Sequence, residues 1–285
     1  MKKVLVTGAN GQLGQCIKDA VSQINNSEYH YTFVTRQEFD LANIQMMRDY
    51  LTQNEFDVLI NCAAYTAVDL AEEEVDKAYA VNAEAVGEMA KICAEKNIEL
   101  IHVSTDYVFD GNADKPFAAD HETNPISVYG KSKLVGEQLA LENNPETIII
   151  RTAWVYSQHG KNFMKTMLRL FADKDEISVV NDQKGTPTNA NDIARAILKV
   201  VQAKKKTPGI YHFTNAGDTT WYGFAEAIKE LTNAEIKINP IPTSEFPTPA
   251  KRPAYSVLDT AKIQEVYDVE SPHWKDSLKL LLSKL

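Results

Sequence analysis

The sequence predicts a doubly wound α/β fold, a parallel sheet covered by helices on both faces, joined to a smaller, partly interleaved α/β lobe. Three observations predict it. Strand and helix patterns alternate through residue 156. The strands are nearly continuous apolar runs, as in sheets buried on both faces. A glycine-rich turn follows the first strand and opens a helix, the usual start of such folds.

The elements follow in order. Residues 3–7, KVLVT, are a short β-branched run that stops at Gly8, after which "GANGQLGQCIKDAV" turns into a helix. A strand at 31–35, a helix at 43–54, a strand at 57–64 and a long helix at 73–97 come next. Then come a strand at 99–109, a helix at 128–143 and a strand at 147–156. Beyond that the rhythm changes: a helix at 162–174, a strand, a Gly- and Pro-bearing loop and a helix within 176–202, a strand at 209–215 and a helix at 221–233. The proline-rich stretch 240–259 reads as an extended, ordered loop.

Composition narrows the function. With 285 residues, 44% of them hydrophobic, the chain can bury a large core. A net charge of −9 argues against broad electrostatic binding to nucleic acid. The basic run Lys204-Lys205-Lys206 is a solvated helix end. Cys16, Cys62 and Cys93 have neither metal-ligand nor CxxC spacing and suit a reducing compartment. No signal peptide and no run of membrane-spanning length is visible, so the cytoplasm is the expected location and no membrane partner is expected.

Gly8, Gly11 and Gly14 give G-x-x-G-x-x-G at the first strand-to-helix crossing. Glycines let the backbone approach a pyrophosphate, and the helix N-terminus adds N–H groups and a positive dipole end. A dinucleotide is therefore expected there, with Asn10, Gln12 and Leu13 of the same loop. At the end of the second strand stand Thr35 and Arg36, where an acidic residue would bind ribose hydroxyls. A guanidinium pairs with a 2′-phosphate, which favours NADPH over NADH. Asp40 and Leu41 are placed for the adenine side, and Ala63, Ala64 and Tyr65, after the third strand, for the cofactor across the sheet edge.

Tyr129 and Lys133 are i and i+4 on one helix face. A free phenol titrates at about 10, and a nearby ammonium lowers that value. Ser104, Thr105 and Asp106 end an apolar strand at the sheet edge where ligands bind in such folds. Ser104 and Thr105 face opposite sides, so only one hydroxyl can meet a substrate.

These motifs together resemble an extended short-chain dehydrogenase/reductase: "VTGANGQLG", "NCAAYTAVD", "STDYVFDG", "YGKSKLVGE" and "RTAWVY". Within that family the chain is most similar to the dTDP-4-dehydrorhamnose reductase branch, through "AYTAVDLAE", "NDQKGTPT" and "FPTPAKRP" in the same order. The resemblance implies a Rossmann-like coenzyme domain over 1–156 with parts of 189–216, and a nucleotide-sugar lobe over 157–188 and 217–285. It implies reduction of a C4 keto sugar by NADPH, with Thr105, Tyr129 and Lys133 as the catalytic set. It also implies that Lys133 lowers the Tyr129 pKa and holds the nicotinamide ribose. Val68, Asp106, Tyr107 and Trp154 match sugar-lining positions, and Arg252, with Lys251, is placed for the nucleotide diphosphate. Some relatives hold Mg²⁺ through an early acidic residue; Gln15 stands there here, so no metal is assigned and the chain is expected as a monomer or homodimer.

Two other readings exist. A nucleotide-sugar dehydratase needs an Asp-Glu pair after the threonine, but here Tyr107 follows Asp106; an epimerase keeps its NAD, at odds with Arg36. A non-catalytic NADP-binding regulatory subunit, like the β subunit of methionine adenosyltransferase, would not need Thr105, Tyr129 and Lys133 together.

Overall fold

The computed structural model describes residues 1–24 and 27–285. Through the first half the order is β1 (Lys2–Thr7), α1 (Gln12–Gln23), β2 (Tyr29–Phe33), α2 (Ile44–Gln53), β3 (Val58–Asn61), α3 (Val75–Tyr79), α4 (Ala85–Lys96), β4 (Glu99–Thr105), α5 (Val128–Asn143) and β5 (Ile148–Thr152). Then follow β6 (Val155–Tyr156), α6 (Phe163–Asp173), β7 (Glu176–Val180), β8 (Lys184–Gly185), β9 (Thr188–Asn189), α7 (Ala190–Gln202) and β10 (Gly209–His212). The chain closes with β11 (Thr219–Thr220), α8 (Trp221–Thr232), β12 (Lys237–Ile241), α9 (Ala261–Tyr267) and α10 (Trp274–Leu282).

Six strands form one sheet in the order β10-β5-β4-β3-β1-β2, every pair parallel. Each strand sends alternate side chains to opposite faces. Val4 and Val6 of β1 therefore join Ile17, Ile193 and Ile197 in one core layer, while Leu5 joins Met47, Leu51 and Met89 in the other. The chain reverses its direction of strand addition between β1 and β3, and the crevice at such a switch point is where ligands sit in open α/β sheets.

A separate core gathers Tyr156, Met164, Phe224, Ile228, Trp274 and Leu278 from β6, α6, α8 and α10. Beside it β12 pairs in parallel with β7, so Pro240 and Ile241, expected in the extended tail, close a strand. The rest of the tail is extended and bridged, Tyr255 to Lys184 and Leu258 to Phe117. Ile263 and Tyr267 of α9, with Val269, pack into the layer of the large sheet that holds α1 and α7.

Three elements differ from the sequence expectation. The helix expected at 73–97 is broken by a π-helical turn, Ala80–Glu84. This turn directs Asn82 inward, where its side chain accepts the Tyr65 N–H at 2.9 Å and donates to the Tyr65 carbonyl and to Ser132 Oγ. Gly136 of α5 seats against it, since a Cβ there would stand 1.9 Å from the Asn82 carbonyl oxygen. The strand expected to run to residue 109 stops at Thr105, whose hydroxyl accepts the Tyr107 N–H and starts a 3₁₀ turn, Asp106–Val108. The strand expected over 147–156 is interrupted at Trp154, which takes a left-handed φ of +46°.

Candidate active site

A cleft of about 810 Å³ opens at the C-terminal ends of β1, β3 and β4. At one end Gly8 has φ +67°, and a Cβ there would lie 2.8 Å from the Ala63 nitrogen, so the turn after β1 accepts only glycine. The Gly11 N–H closes the turn on the Gly8 carbonyl at 2.8 Å. Gly11 then caps α1 without any side-chain hydrogen bond, which leaves the first-turn N–H groups to meet an anion. Asn10, Gly11, Gln12 and Leu13 line the cleft. Gly14 does not: its missing Cβ makes room for the Gly8 carbonyl oxygen, 2.4 Å from where that atom would stand, so it serves the packing of helix on loop. Gln12 Oε1 accepts from Ser157 Oγ at 3.0 Å and Asn162 Nδ2 at 2.8 Å, which ties the loop to the second half of the chain.

Arg36, Asp40 and Leu41 line the same end. The Arg36 side chain is 72% exposed and makes a single ion pair, Nε to Asp40 Oδ2 at 3.1 Å. Thr35, expected from the sequence to meet the coenzyme, does not line the cleft; its N–H and hydroxyl both go to the Glu38 carboxylate, at 2.9 and 3.1 Å. Phe39 lines the cleft instead and carried no sequence signal beyond its neighbours. Ala63, Ala64 and Tyr65 line it on the β3 side.

Thr105, Tyr129 and Lys133 come together on the opposite wall. Ser127 caps α5 by accepting the Gly130 N–H at 3.1 Å, which starts the helix one residue before Tyr129. Gly130 lets the helix touch β4's exit, where a Cβ would lie 2.2 Å from the Tyr107 carbonyl oxygen. The Tyr129 ring packs edge-on against Tyr107 at 5.4 Å between centroids. The Thr105 hydroxyl donates to Asp106 Oδ1 at 3.0 Å.

The electrostatics correct one expectation. Burial pushes the Tyr129 phenol up to about 12, opposed by hydrogen bonding with Thr105, and Lys133 is not among the groups that move it. The Lys133 Nζ turns instead to the Val103 carbonyl, at 2.8 Å, and burial brings its pKa down to about 8. The i, i+4 spacing places both groups on one face, but the longer side chain runs under the sheet edge. Asp106, also buried, is raised to about 6 by desolvation, with bonds from Ser256 and Thr105 pulling the other way. Among the described residues its Oδ2 has no hydrogen-bond partner.

Val68, Asp106, Tyr107 and Trp154 line this end. Trp154 stacks on Trp221 with centroids 3.6 Å apart and planes 8° from parallel, and Gly185 lies against its ring. Phe163 packs on the same Trp221. Trp221 and Phe163 were not singled out from the sequence; the aromatic start of "WYGFAEAIKELTN" was the one trace of them. Arg252, expected at a diphosphate, is outside the lining: its guanidinium is held by Asp69, Nη1 to Oδ1 at 3.0 Å and Nη2 to Oδ2 at 2.7 Å, and by the Ala250 carbonyl and Thr248. Lys251 beside it is exposed. Gln15, at the position of the family's acidic metal ligand, donates to the Asn10 carbonyl at 2.8 Å. Among the described residues no cluster of His, Cys, Asp and Glu is arranged to hold a metal.

The whole chain, residues 1–285, matches the family described as RmlD substrate binding domain. It is 40% identical to the dTDP-4-dehydrorhamnose reductase of Aggregatibacter actinomycetemcomitans over 290 aligned residues, covering 98% of each chain. Among solved structures it is similar to a dTDP-4-dehydrorhamnose reductase from Clostridium acetobutylicum, with 42% identity, 99% of each chain covered and a TM-score of 0.93. The dTDP-4-dehydrorhamnose reductase of Bacillus anthracis in complex with NADP is 35% identical, covering 100% of this chain and 99% of that one, with a TM-score of 0.94.

Proposed function

The chain belongs to the RmlD substrate binding domain family, and on that premise we infer that it is an NADPH-dependent oxidoreductase reducing the C4 keto group of dTDP-4-dehydro-L-rhamnose to give dTDP-L-rhamnose. One observation carries the reading: Thr105, Tyr129 and Lys133 share the wall of a single cleft whose far end is the glycine turn and uncapped helix start. That turn fits a pyrophosphate because a Cβ at Gly8 would fill it. Gly8 to Leu13 and Ala63 to Tyr65 would hold NADPH, which when bound would supply the hydride for the carbonyl carbon. Tyr129 donates its proton to the oxygen formed at C4. Thr105 turns its hydroxyl from Asp106 to that oxygen and stabilises the charge developing there. Lys133, as ammonium, holds the nicotinamide ribose. Asp106 accepts a sugar hydroxyl on its unpartnered Oδ2, and the Trp154–Trp221 stack covers the sugar's apolar face. Arg252 acts on the substrate end indirectly, by pinning the proline-rich segment to Asp69.

The division of labour follows the chain in part: residues 1–156 with parts of 189–216 carry the coenzyme and 157–188 with 217–285 the nucleotide sugar, but Asp106 and Trp154 reach the sugar from the first part and α9 packs on its sheet. All these residues lie in one chain. The three cysteines are unpaired, and among the described residues no helix is long and apolar enough to cross a membrane; both features support the cytoplasm as the place of action. The test is product analysis after incubation with dTDP-4-keto-6-deoxy-L-mannose and NADPH or NADH. Formation of dTDP-L-rhamnose is expected. An inert mixture that nevertheless binds NADPH would favour a regulatory subunit.

Arg36 gives a separate prediction. Exposed ion pairs contribute little, so the Arg36–Asp40 contact yields readily to a 2′-phosphate. Arg36→Ala is expected to raise KM for NADPH by about tenfold, the scale of one charge-assisted pair, while KM for NADH changes little. Steady-state kinetics with both reductants decide it; equal changes would remove the phosphate contact.

A further inference from the structure

Behind the cleft a file of buried polar side chains runs from β1 to α5. Thr7 Oγ1 donates to Asn61 Oδ1 at 2.7 Å, and the same oxygen takes the Ala63 backbone N–H at 3.1 Å. Asn61 Nδ2 lies 3.0 Å from His102 Nδ1, and His102 Nε2 lies 3.2 Å from Lys133 Nζ. Thr7, Asn61, His102 and Lys133 are at most 1% exposed. The reaction as described uses only the last of them.

The donors along this file can be counted. A backbone N–H only donates, so Asn61 presents its oxygen to Ala63 and its NH₂ to the imidazole. His102 Nδ1 therefore accepts, and a neutral imidazole must then carry its proton on Nε2. That N–H faces Lys133 Nζ. An ammonium would set N–H against N–H, whereas an uncharged amine accepts the bond through its lone pair and keeps its own donor on the Val103 carbonyl, 2.8 Å away.

We propose that His102 is a positioning residue that acts through its Nε2–H to favour the amine of Lys133 over the ammonium, so that Asn61, by fixing the imidazole tautomer, sets how readily the lysine charges. The consequence for catalysis rests on the reductase reading; the tautomer does not. Burial is the largest influence lowering Lys133, while Glu137, one turn along α5, and Cys62, just past β3, raise it. Glu137 is itself engaged by Arg151 of β5 at 2.6 Å. Tyr129 on the same helix, with Tyr107 and Asp106 beyond Thr105, are the other titratable groups at this end of the cleft. His102 is held well below its ordinary value by burial and by Lys133, so it stays a neutral imidazole.

Two measurements test this. In ¹⁵N NMR spectra of the ligand-free protein, His102 is expected with a protonated Nε2 and a bare Nδ1; a proton on Nδ1 or on both nitrogens overturns the proposal, with no variant needed to fold. The second uses His102→Gln, whose amide turns freely and can offer Oε1 to an ammonium. In the wild type, kcat/KM is expected to fall as pH rises through about 8, where burial places the loss of the Lys133 proton. In the variant that limb is expected to move upward by about one unit, the size of one exchanged hydrogen-bond partner on a buried charge. A histidine that merely filled space would lower the plateau and leave the limb in place, and that result also overturns the proposal. If neither protein reduced the keto sugar at any pH, the reductase reading would fall while the nitrogen spectrum still decided the tautomer.

Discussion

Tyr129→Phe is expected to lower kcat by about 10²–10⁴-fold, the usual worth of a positioned general acid. The substitution keeps the ring, and with it the edge-on contact to Tyr107 at 5.4 Å, so the helix start and the cleft wall are preserved. Only the hydroxyl beside Thr105 is removed. Burial holds that phenol at about 12 and therefore protonated across the neutral range, which suits a donor and not a base. In the ligand-free state the Lys133 Nζ is engaged by the Val103 carbonyl at 2.8 Å and faces His102 Nε2 at 3.2 Å. The loss should then be flat from pH 6 to 8, because nothing in the variant replaces the missing proton. Stopped-flow or steady-state turnover with the keto sugar, alongside a coenzyme dissociation constant that stays within about twofold, is the measurement. Turnover within tenfold of wild type would remove Tyr129 from the proton path.

Glu137→Ala is expected to destabilise the protein by about 3–5 kcal/mol, the cost of leaving a buried charge without its partner. Glu137 and Arg151 are 1% and 2% exposed. Arg151 Nε donates to the two Glu137 oxygens at 2.9 and 3.2 Å, and Nη2 donates at 2.6 Å. The guanidinium also lies over the Phe109 ring, 5.1 Å from its centre. This pair braces α5, which carries Tyr129 and Lys133, against β5. Replacing both residues, Glu137→Leu with Arg151→Met, should recover much of the loss, because the penalty comes from the orphaned ion and not from the missing attraction. Denaturant midpoints of the wild type and the two variants separate these cases. A single variant that costs less than about 1 kcal/mol would mean that water reaches the guanidinium.

The large sheet and the glycine turn were legible because each is a local signal: apolar runs of strand length, and three glycines at one crossing. Tyr129 and Lys133 were legible as a pair for the same reason, since helical spacing fixes which side chains share a face. What they touch was not. Lys133 reaches past the phenol to a carbonyl on β4, and only the register of β3 against β4, Asn61 opposite His102, brings the imidazole to it. The breaks in elements escaped because their causes are tertiary. Asn82 leaves the helical ladder to serve Tyr65, and Trp154 accepts a left-handed backbone where its ring stacks on Trp221 from α8. Thr35 and Arg252 were assigned by position alone, and each is taken by a carboxylate, Glu38 and Asp69, whose approach no spacing rule announces. The helices α9 and α10 follow a proline-rich stretch and carry short patterns, which left them unmarked.

The clasp between Asp69 and Arg252 joins positions 183 residues apart. The turn at Gly8, in contrast, is closed by Ala63, well within the first third of the chain. A chain emerging from the ribosome can thus shape its nucleotide cradle early, while the opposite end stays unfastened until almost everything has been translated. Premature termination before Arg252 would leave Asp69 without its partner and strip α9 from the layer that holds α1 and α7.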